Sequence, residues 1–148
     1  MSQTVVLDSG PLGLATNPGG SSETKACARW LSNIVRKGGT VVIPEIADYE
    51  VRRELIRAQK HSSIARLDTL IDQVAYMAIT TAAMRVAAEY WAQARRSGQP
   101  ATDDAALDGD VILAAQAATI RSAKVVVATT NVKHLSVFVE AKPWHDIS

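Results

Sequence analysis

The sequence predicts an α/β protein, a three-layer α/β/α sandwich around a central, mostly parallel sheet. Two observations carry this. Short β-branched runs (Thr4-Val5-Val6-Leu7, Thr40-Val41-Val42-Ile43, Val125-Val126-Val127-Ala128) are spaced along the chain with longer segments of helical periodicity between them. The runs are apolar throughout rather than alternating, as strands covered on both faces are. Strands alternating with helices imply crossover connections, and hence parallel pairing.

In chain order, the first strand occupies residues 4–8 and ends on Asp8, followed by a Gly-, Pro- and Ser-containing loop through Asn17-Pro18-Gly19-Gly20. Ser21 or Ser22 caps a helix whose apolar stripe is Cys27, Trp30, Leu31, Ile34 and Val35, stopped by Lys37-Gly38-Gly39. The second strand covers residues 40–43, and Pro44 opens the first turn of a helix carrying Ile46, Ala47, Glu50, Val51, Glu54 and Leu55. Ser62 or Ser63 opens the next helix, with Ile64, Leu67, Leu70, Ile71 and Val74 at helical spacing. A short strand at residues 76–79 precedes a long Ala-rich helix capped by Thr80 or Thr81. Ser97-Gly98-Gln99-Pro100 breaks the chain, an acid-rich loop Thr102-Asp103-Asp104 follows, and Asp108-Gly109-Asp110 begins a helix over residues 111–118. The last strong strand covers residues 125–128, with Asn131 at its exit.

With 148 residues, 47% of them hydrophobic, the chain is expected to form a single domain over residues 1–148 with a substantial core. A net charge of +1 gives no whole-molecule attraction to polyanions, so any such site must be a local patch. Cys27 is the only cysteine, which excludes an intramolecular disulfide and a cysteine-cluster metal site. Met1-Ser2-Gln3-Thr4 has no basic start or long apolar stretch, and no run approaches the ~20 residues of a membrane span. The expectation is a soluble, cytoplasmic protein with no membrane partner.

The acids are the chemical content. Asp8 stands at the carboxyl end of a strand, the edge at which open parallel sheets bind ligands. A structural alternative for it is a hydrogen bond to the turn that follows. Glu50 and Glu54 share a helix edge; Glu50 reads as a site residue and Glu54 as a solvated charge within reach of Arg53 or Arg57. Asp108 makes a good helix cap. Asp110 heads Val111-Ile112-Leu113-Ala114-Ala115, a helix apolar nearly all round, where an unpaired acid is costly. Asn131 reads as a turn residue or as a neutral group holding a water or phosphate oxygen. Several carboxylates converging would repel one another unless a cation lay between them. That pattern suits hydrolysis of phosphodiesters with Mg²⁺ or Mn²⁺, hard ions that take oxygen ligands and acidify water.

Other chemistries lack their residues. There is no Gly-rich phosphate loop with Lys-Ser/Thr, no His-Glu-x-x-His and no Gly-x-Ser-x-Gly. His61, His134 and His145 are far apart and read as surface imidazoles. Aromatics are 5% of residues, too few for a base-stacking platform, and Trp91 and Trp144 read as core or interface.

With those residues in place, the chain resembles the PIN-domain nucleases and, among them, the VapC-type toxins of bacterial toxin–antitoxin pairs. Four segments carry the resemblance: Val5-Val6-Leu7-Asp8-Ser9-Gly10-Pro11-Leu12; Val42-Ile43-Pro44 with Glu50-Val51-Arg52-Arg53-Glu54; Asp110-Val111-Ile112-Leu113-Ala114-Ala115-Gln116-Ala117; and Val126-Val127-Ala128-Thr129-Thr130-Asn131-Val132-Lys133-His134-Leu135. The closing Pro143-Trp144-His145-Asp146-Ile147 is similar to family C-termini. The resemblance implies a Mg²⁺/Mn²⁺-dependent endoribonuclease in which Asp8, Glu50 and Asp110 ligate the metal. Many relatives have an acid where this chain has Asn131, and Asp108 stands two residues before Asp110 as a substitute ligand. Asn131 would then place water or phosphate, and Arg52 and Arg53 would anchor the RNA substrate. A cognate antitoxin that blocks the acidic pocket and a homodimer are implied on the same ground. The rival reading is a PIN-like module that binds RNA or protein without cutting. A haloacid-dehalogenase-like phosphatase would need an acid where Gly10 stands; a phospho-receiver would need paired acids on the first strand, where Asp8 stands alone, although Thr129 and Lys133 match part of that pattern.

Overall fold

The computed structural model describes residues 3–98 and 104–148. The chain runs β1 (Thr4–Leu7), α1 (Ser9–Thr16), α2 (Ser22–Arg36), β2 (Thr40–Pro44), α3 (Glu45–Arg57), α4 (His61–Gln73), β3 (Ala75–Met77), α5 (Thr81–Arg96), α6 (Asp104–Ala118), β4 (Val125–Ala128), α7 (Val132–Leu135) and β5 (Ala141–Lys142), closing on a 3-10 turn at Trp144–Asp146. The five strands form one sheet in the order β3-β2-β1-β4-β5, every pair parallel. Val5 is in register with Val41 on one side and Val126 on the other, which puts β1 at the centre.

Period-two alternation splits the core into two layers. Val5, Leu7, Val41, Ile43, Val126 and Ala128 pack with Leu12, Cys27, Trp30, Leu31, Ile34 and Leu67 on one face. Val6, Val42 and Val127 pack with Leu113, Ala114, Ala117 and Leu135 on the other. A helix layer therefore lies on each side, as the apolar strands require. Beyond the second layer, Ala83 and Ala87 of α5 meet Val111 and Ala115 of α6, where small residues let the helices approach closely.

Several elements depart from the sequence expectation, each for a physical reason. Residues 9–16, expected as loop, form α1. Asp8 caps it by accepting the Ser9 N–H, and the buried Leu12 holds it to the sheet despite Gly10 and Gly13. Pro44 closes β2 instead of opening α3, so it stands in the N-cap position with no side-chain cap to offer. Lys60, rather than Ser62 or Ser63, precedes α4. Helix α6 begins at Asp104, because Ala105-Ala106-Leu107 are good helix formers that extend it upstream; Asp108 is therefore interior and caps nothing. Residues 102 and 103 of the expected acidic loop lie outside the described residues. Helix α7 and strand β5 had no expectation; β5 pairs with β4 at the sheet edge.

Other local expectations match. Ser21 caps α2 by accepting the Thr24 N–H, and Thr80 caps α5 by accepting from Ala83. Gly38 takes φ +88° past the end of α2, the left-handed geometry that ends helices. Trp144 packs on Trp30 with ring centroids 5.7 Å apart, and the Trp30 indole donates to the Ile147 carbonyl at 2.7 Å, so the C-terminal segment is built into the core. Among the described residues, no helix is long and apolar enough to cross a membrane.

Candidate active site

The strand order reverses direction between β1 and β4, and at such a switch point the loops leaving two adjacent strands part to open a crevice. Asp8 leaves β1 there and Thr129 leaves β4. Asp8 is 8% exposed, and both its oxygens are used: Oδ1 accepts the Ser9 N–H at 2.7 Å and Oδ2 accepts the Thr129 hydroxyl at 2.7 Å. Thr129 Oγ1 in turn accepts the Asn131 N–H at 2.8 Å. A buried carboxylate is tolerated because two donors face it.

Helix α6 brings Asp110 to the same edge. Asn131 Nδ2 lies 3.4 Å from both Asp110 oxygens, and His134 Nδ1 lies 3.6 Å from Oδ2. Burial pushes the Asp110 carboxyl above its ordinary range, the Asp8 charge pushes it further, and His134 and Asn131 pull the other way. Glu50 arrives from α3, half-buried, its Oε2 close against Gly109 of α6. Burial raises its pKa too, and the charges of Asp8 and then Asp110 act on it. Three carboxylates from three separated segments thus sense one another at one edge of the sheet.

The remaining expected residues sort differently. Asp108 is exposed and lines a groove of about 380 Å³ with Met84, Trp91 and Ile112 on the α5–α6 surface, so it is not brought to Asp8, Glu50 and Asp110. Two residues along a helix turn a side chain by about 200°, which is why a spacing of two between Asp108 and Asp110 separates them. Arg52 is not free for phosphate: its guanidinium pairs with Asp48 at 3.0 Å and with Asp68 at 2.8 Å, tying α3 to α4. Arg53 lies over the Tyr49 ring at 5.0 Å and remains exposed. Glu54 takes both guanidinium bonds of Arg57 on the surface, a solvated charge as expected. His134, expected as a plain surface imidazole, instead reaches Asp110.

The sequence gives Gly109 no role, and Thr129 one only in the phospho-receiver alternative. A hydroxyl directly after the apolar Val125-Val126-Val127-Ala128, on the strand beside β1, was the available signal for Thr129. Another apolar groove of about 510 Å³, lined by residues of α1, α2 and α4 including Leu31, Val35 and Leu70, shares no residue with the carboxylate edge and holds no chemistry of its own.

The three carboxylates offer oxygen ligands, which suit a hard divalent cation. Among the described residues, no three His, Cys, Asp or Glu side chains stand closely enough together to hold an ion as they are. Burial first, and the neighbouring Asp8 charge second, raise the pKa values of Glu50 and Asp110.

Residues 5–136 match the PIN domain family model, and the chain belongs to that family. Solved structures share the fold. Over 96% of this chain and 99% of the other, it is similar to a chain in VapBC2 from Rickettsia felis bound to a promoter DNA fragment (TM-score 0.73, 14% identity). A chain in FitAcB from Neisseria gonorrhoeae aligns over 95% and 99% (TM-score 0.70, 18% identity). One in DNA-bound VapBC from Salmonella typhimurium aligns over 97% and 99% (TM-score 0.65, 18% identity). No match was found among curated proteins.

Proposed function

We propose that this PIN-domain protein is a Mg²⁺- or Mn²⁺-dependent endoribonuclease and the toxin half of a VapBC-type pair. The observation that carries the reading is the electrostatic coupling of Asp8, Glu50 and Asp110, three carboxylates from separate segments, at the edge where β1 and β4 part. Those three would hold the metal; the orientation of Asp108 argues against its joining them. A bound divalent ion supplies compensation for the clustered charge and acidity to water near neutral pH. The chain's own residues do the positioning. Thr129 fixes Asp8, while Asn131 and His134 flank Asp110 on the side toward α7. Asn131 is the group placed to orient a water or a phosphate oxygen, and exposed Arg53 is better placed than Arg52 to meet RNA backbone. The structural neighbours are complexes of VapBC and FitAB type, and this supports a small antitoxin as partner; that it covers the acidic edge, and that the toxin chain forms a homodimer, belong to the same proposal. Protein of this composition, without a membrane-spanning helix among its described residues, fits the cytoplasm.

The test is cleavage of a mixed RNA pool by purified protein free of antitoxin, in Mg²⁺, Mn²⁺ or EDTA. Metal-dependent cleavage that drops to background in Asp8→Asn and in Asp110→Asn is expected. Cleavage that persists in EDTA, or survives in both variants, would overturn the reading. RNA binding without turnover would instead favour the binding module.

A further inference from the structure

Gly109 breaks a local rule. It lies inside α6 between Asp108 and Asp110, with no positive φ to require glycine, and alanine there would favour the helix. The position is buried, so the missing side chain has a spatial reason. A Cβ built on Gly109 would stand 2.6 Å from Glu50 Oε2 and 3.4 Å from its Cδ, closer than side-chain carbon and carboxylate oxygen can approach. The Glu50 carboxylate therefore occupies the volume that any other residue would fill. Among the described residues no hydrogen bond holds Glu50 there, and the opposite charge acting on it is that of exposed Arg53, in contrast to Asp8 with its two donors.

We propose that Gly109 is a positioning residue, whose bare backbone seats the Glu50 carboxylate beside Asp110 so that both face one ion. The inference rests on the metal-dependent reading of the site and adds to it what sets the distance between two of its carboxylates. Glu50 is the far end of a flexible side chain, so a methyl group at 109 would displace it at little cost to folding. The damage would fall on the site and not on the fold. A locally unfavourable residue kept at such a point is where local and global demands part.

The experiment compares wild type, Gly109→Ala, Glu50→Asp, Glu50→Ala and the double variants, using Mn²⁺ alone as probe in calorimetric titration and thermal melts in EDTA. Gly109→Ala should fold, by far-UV circular dichroism, and lose about 10-fold or more in Mn²⁺ affinity, the scale on which supporting residues act. Glu50→Asp, one methylene shorter, should make room for the methyl, so that adding Gly109→Ala to Glu50→Asp costs much less than it does in wild type. In EDTA, Gly109→Ala should raise Tm by about 2–4 °C when Glu50 is already alanine, and by less when Glu50 is intact. Wild-type Mn²⁺ affinity in Gly109→Ala overturns the proposal. If wild type itself does not bind Mn²⁺, the metal reading fails separately, and the EDTA melts decide: equal Tm changes with and without Glu50 would mean that the two residues do not share the space.

Discussion

Thr129 and Asp8 stand 121 positions apart in the chain, yet the Thr129 hydroxyl donates to Asp8 Oδ2 at 2.7 Å in the interior of the protein. Thr129 Oγ1 also accepts the Asn131 N–H, so one hydroxyl joins the central strand, its neighbour and the loop bearing Asn131. Thr129→Val keeps the shape and removes both bonds. A buried oxygen and a backbone N–H left unpaired cost about 1–3 kcal/mol each. We expect a lower urea midpoint and a larger relative fall in kcat than in substrate affinity, with Thr129→Ser retaining most of both. A valine variant with unchanged midpoint and turnover would remove Thr129 from the site.

Glu50 and Asp110 both have raised pKa values, with burial as the leading cause and the Asp8 charge next. A carboxyl whose folded pKa exceeds its unfolded one binds more protons when folded, so its contribution to stability falls as pH rises between the two. Below the unfolded values, 4.5 for Glu50 and 3.8 for Asp110, the penalty vanishes; above the raised folded values it is complete. In EDTA, Glu50→Gln should therefore gain in Tm relative to wild type as the pH moves from about 4 to 7. Divalent metal should act oppositely, stabilising wild type more at pH 7 than at pH 5, by about 2.7 kcal/mol at one hundred times its dissociation constant. A Glu50→Gln difference that does not change with pH would contradict the charge coupling at the site.

Gln116 is fully buried in α6, accepts the Ile46 N–H at 3.3 Å and donates to the Met77 carbonyl at 2.9 Å. It ties α6 to the start of α3 and the end of β3, and so helps place both Asp110 and Glu50. Gln116→Leu should destabilise by about 1–3 kcal/mol in denaturant unfolding. Gln116→Glu should recover less as pH rises, since a buried charge would face the Met77 carbonyl. Full stability in the leucine variant would show that neither bond contributes.

Cys27 is buried in the layer beneath α1, with its thiol directed at the Pro11 carbonyl at 3.5 Å, and burial pushes its pKa up to about 12. Native protein should resist alkylation at pH 8 and react fully in urea, as read by mass spectrometry. Rapid labelling of the native state would mean that α1 opens readily.

Much of this architecture was legible in the chain because the central strands are apolar throughout and end on chemically distinct residues. Asp8, Glu50 and Asp110 could be singled out since an acid beside a buried segment demands compensation. Helix α1 was not legible: Gly10 and Gly13 lower its propensity, and it forms because Leu12 is buried in the core on the sheet and Thr16 is buried with its hydroxyl on the Leu12 carbonyl. Asp108 reads from the sequence as a helix cap or a substitute ligand, but α6 starts at Asp104, which puts Asp108 inside the helix on its exposed side. Arg52 looked available for phosphate because its partner Asp68 lies on another helix. Thr129, His134 and Gly109 act through groups far away in sequence, where spacing carries no signal.

The centre of the sheet is made of the chain's first strand and one of its last. Asp8 leads out of β1, but the hydroxyl that fixes it and the amide and imidazole beside Asp110 all follow β4. During synthesis, Asp8, Glu50 and Asp110 emerge from the ribosome well before the segment that organises them. A chain stopped short of residue 125 holds Asp8, Glu50 and Asp110 but not the strand and loop that fix them. Assembly of that edge is thereby tied to the synthesis of β4 and of the loop that follows it.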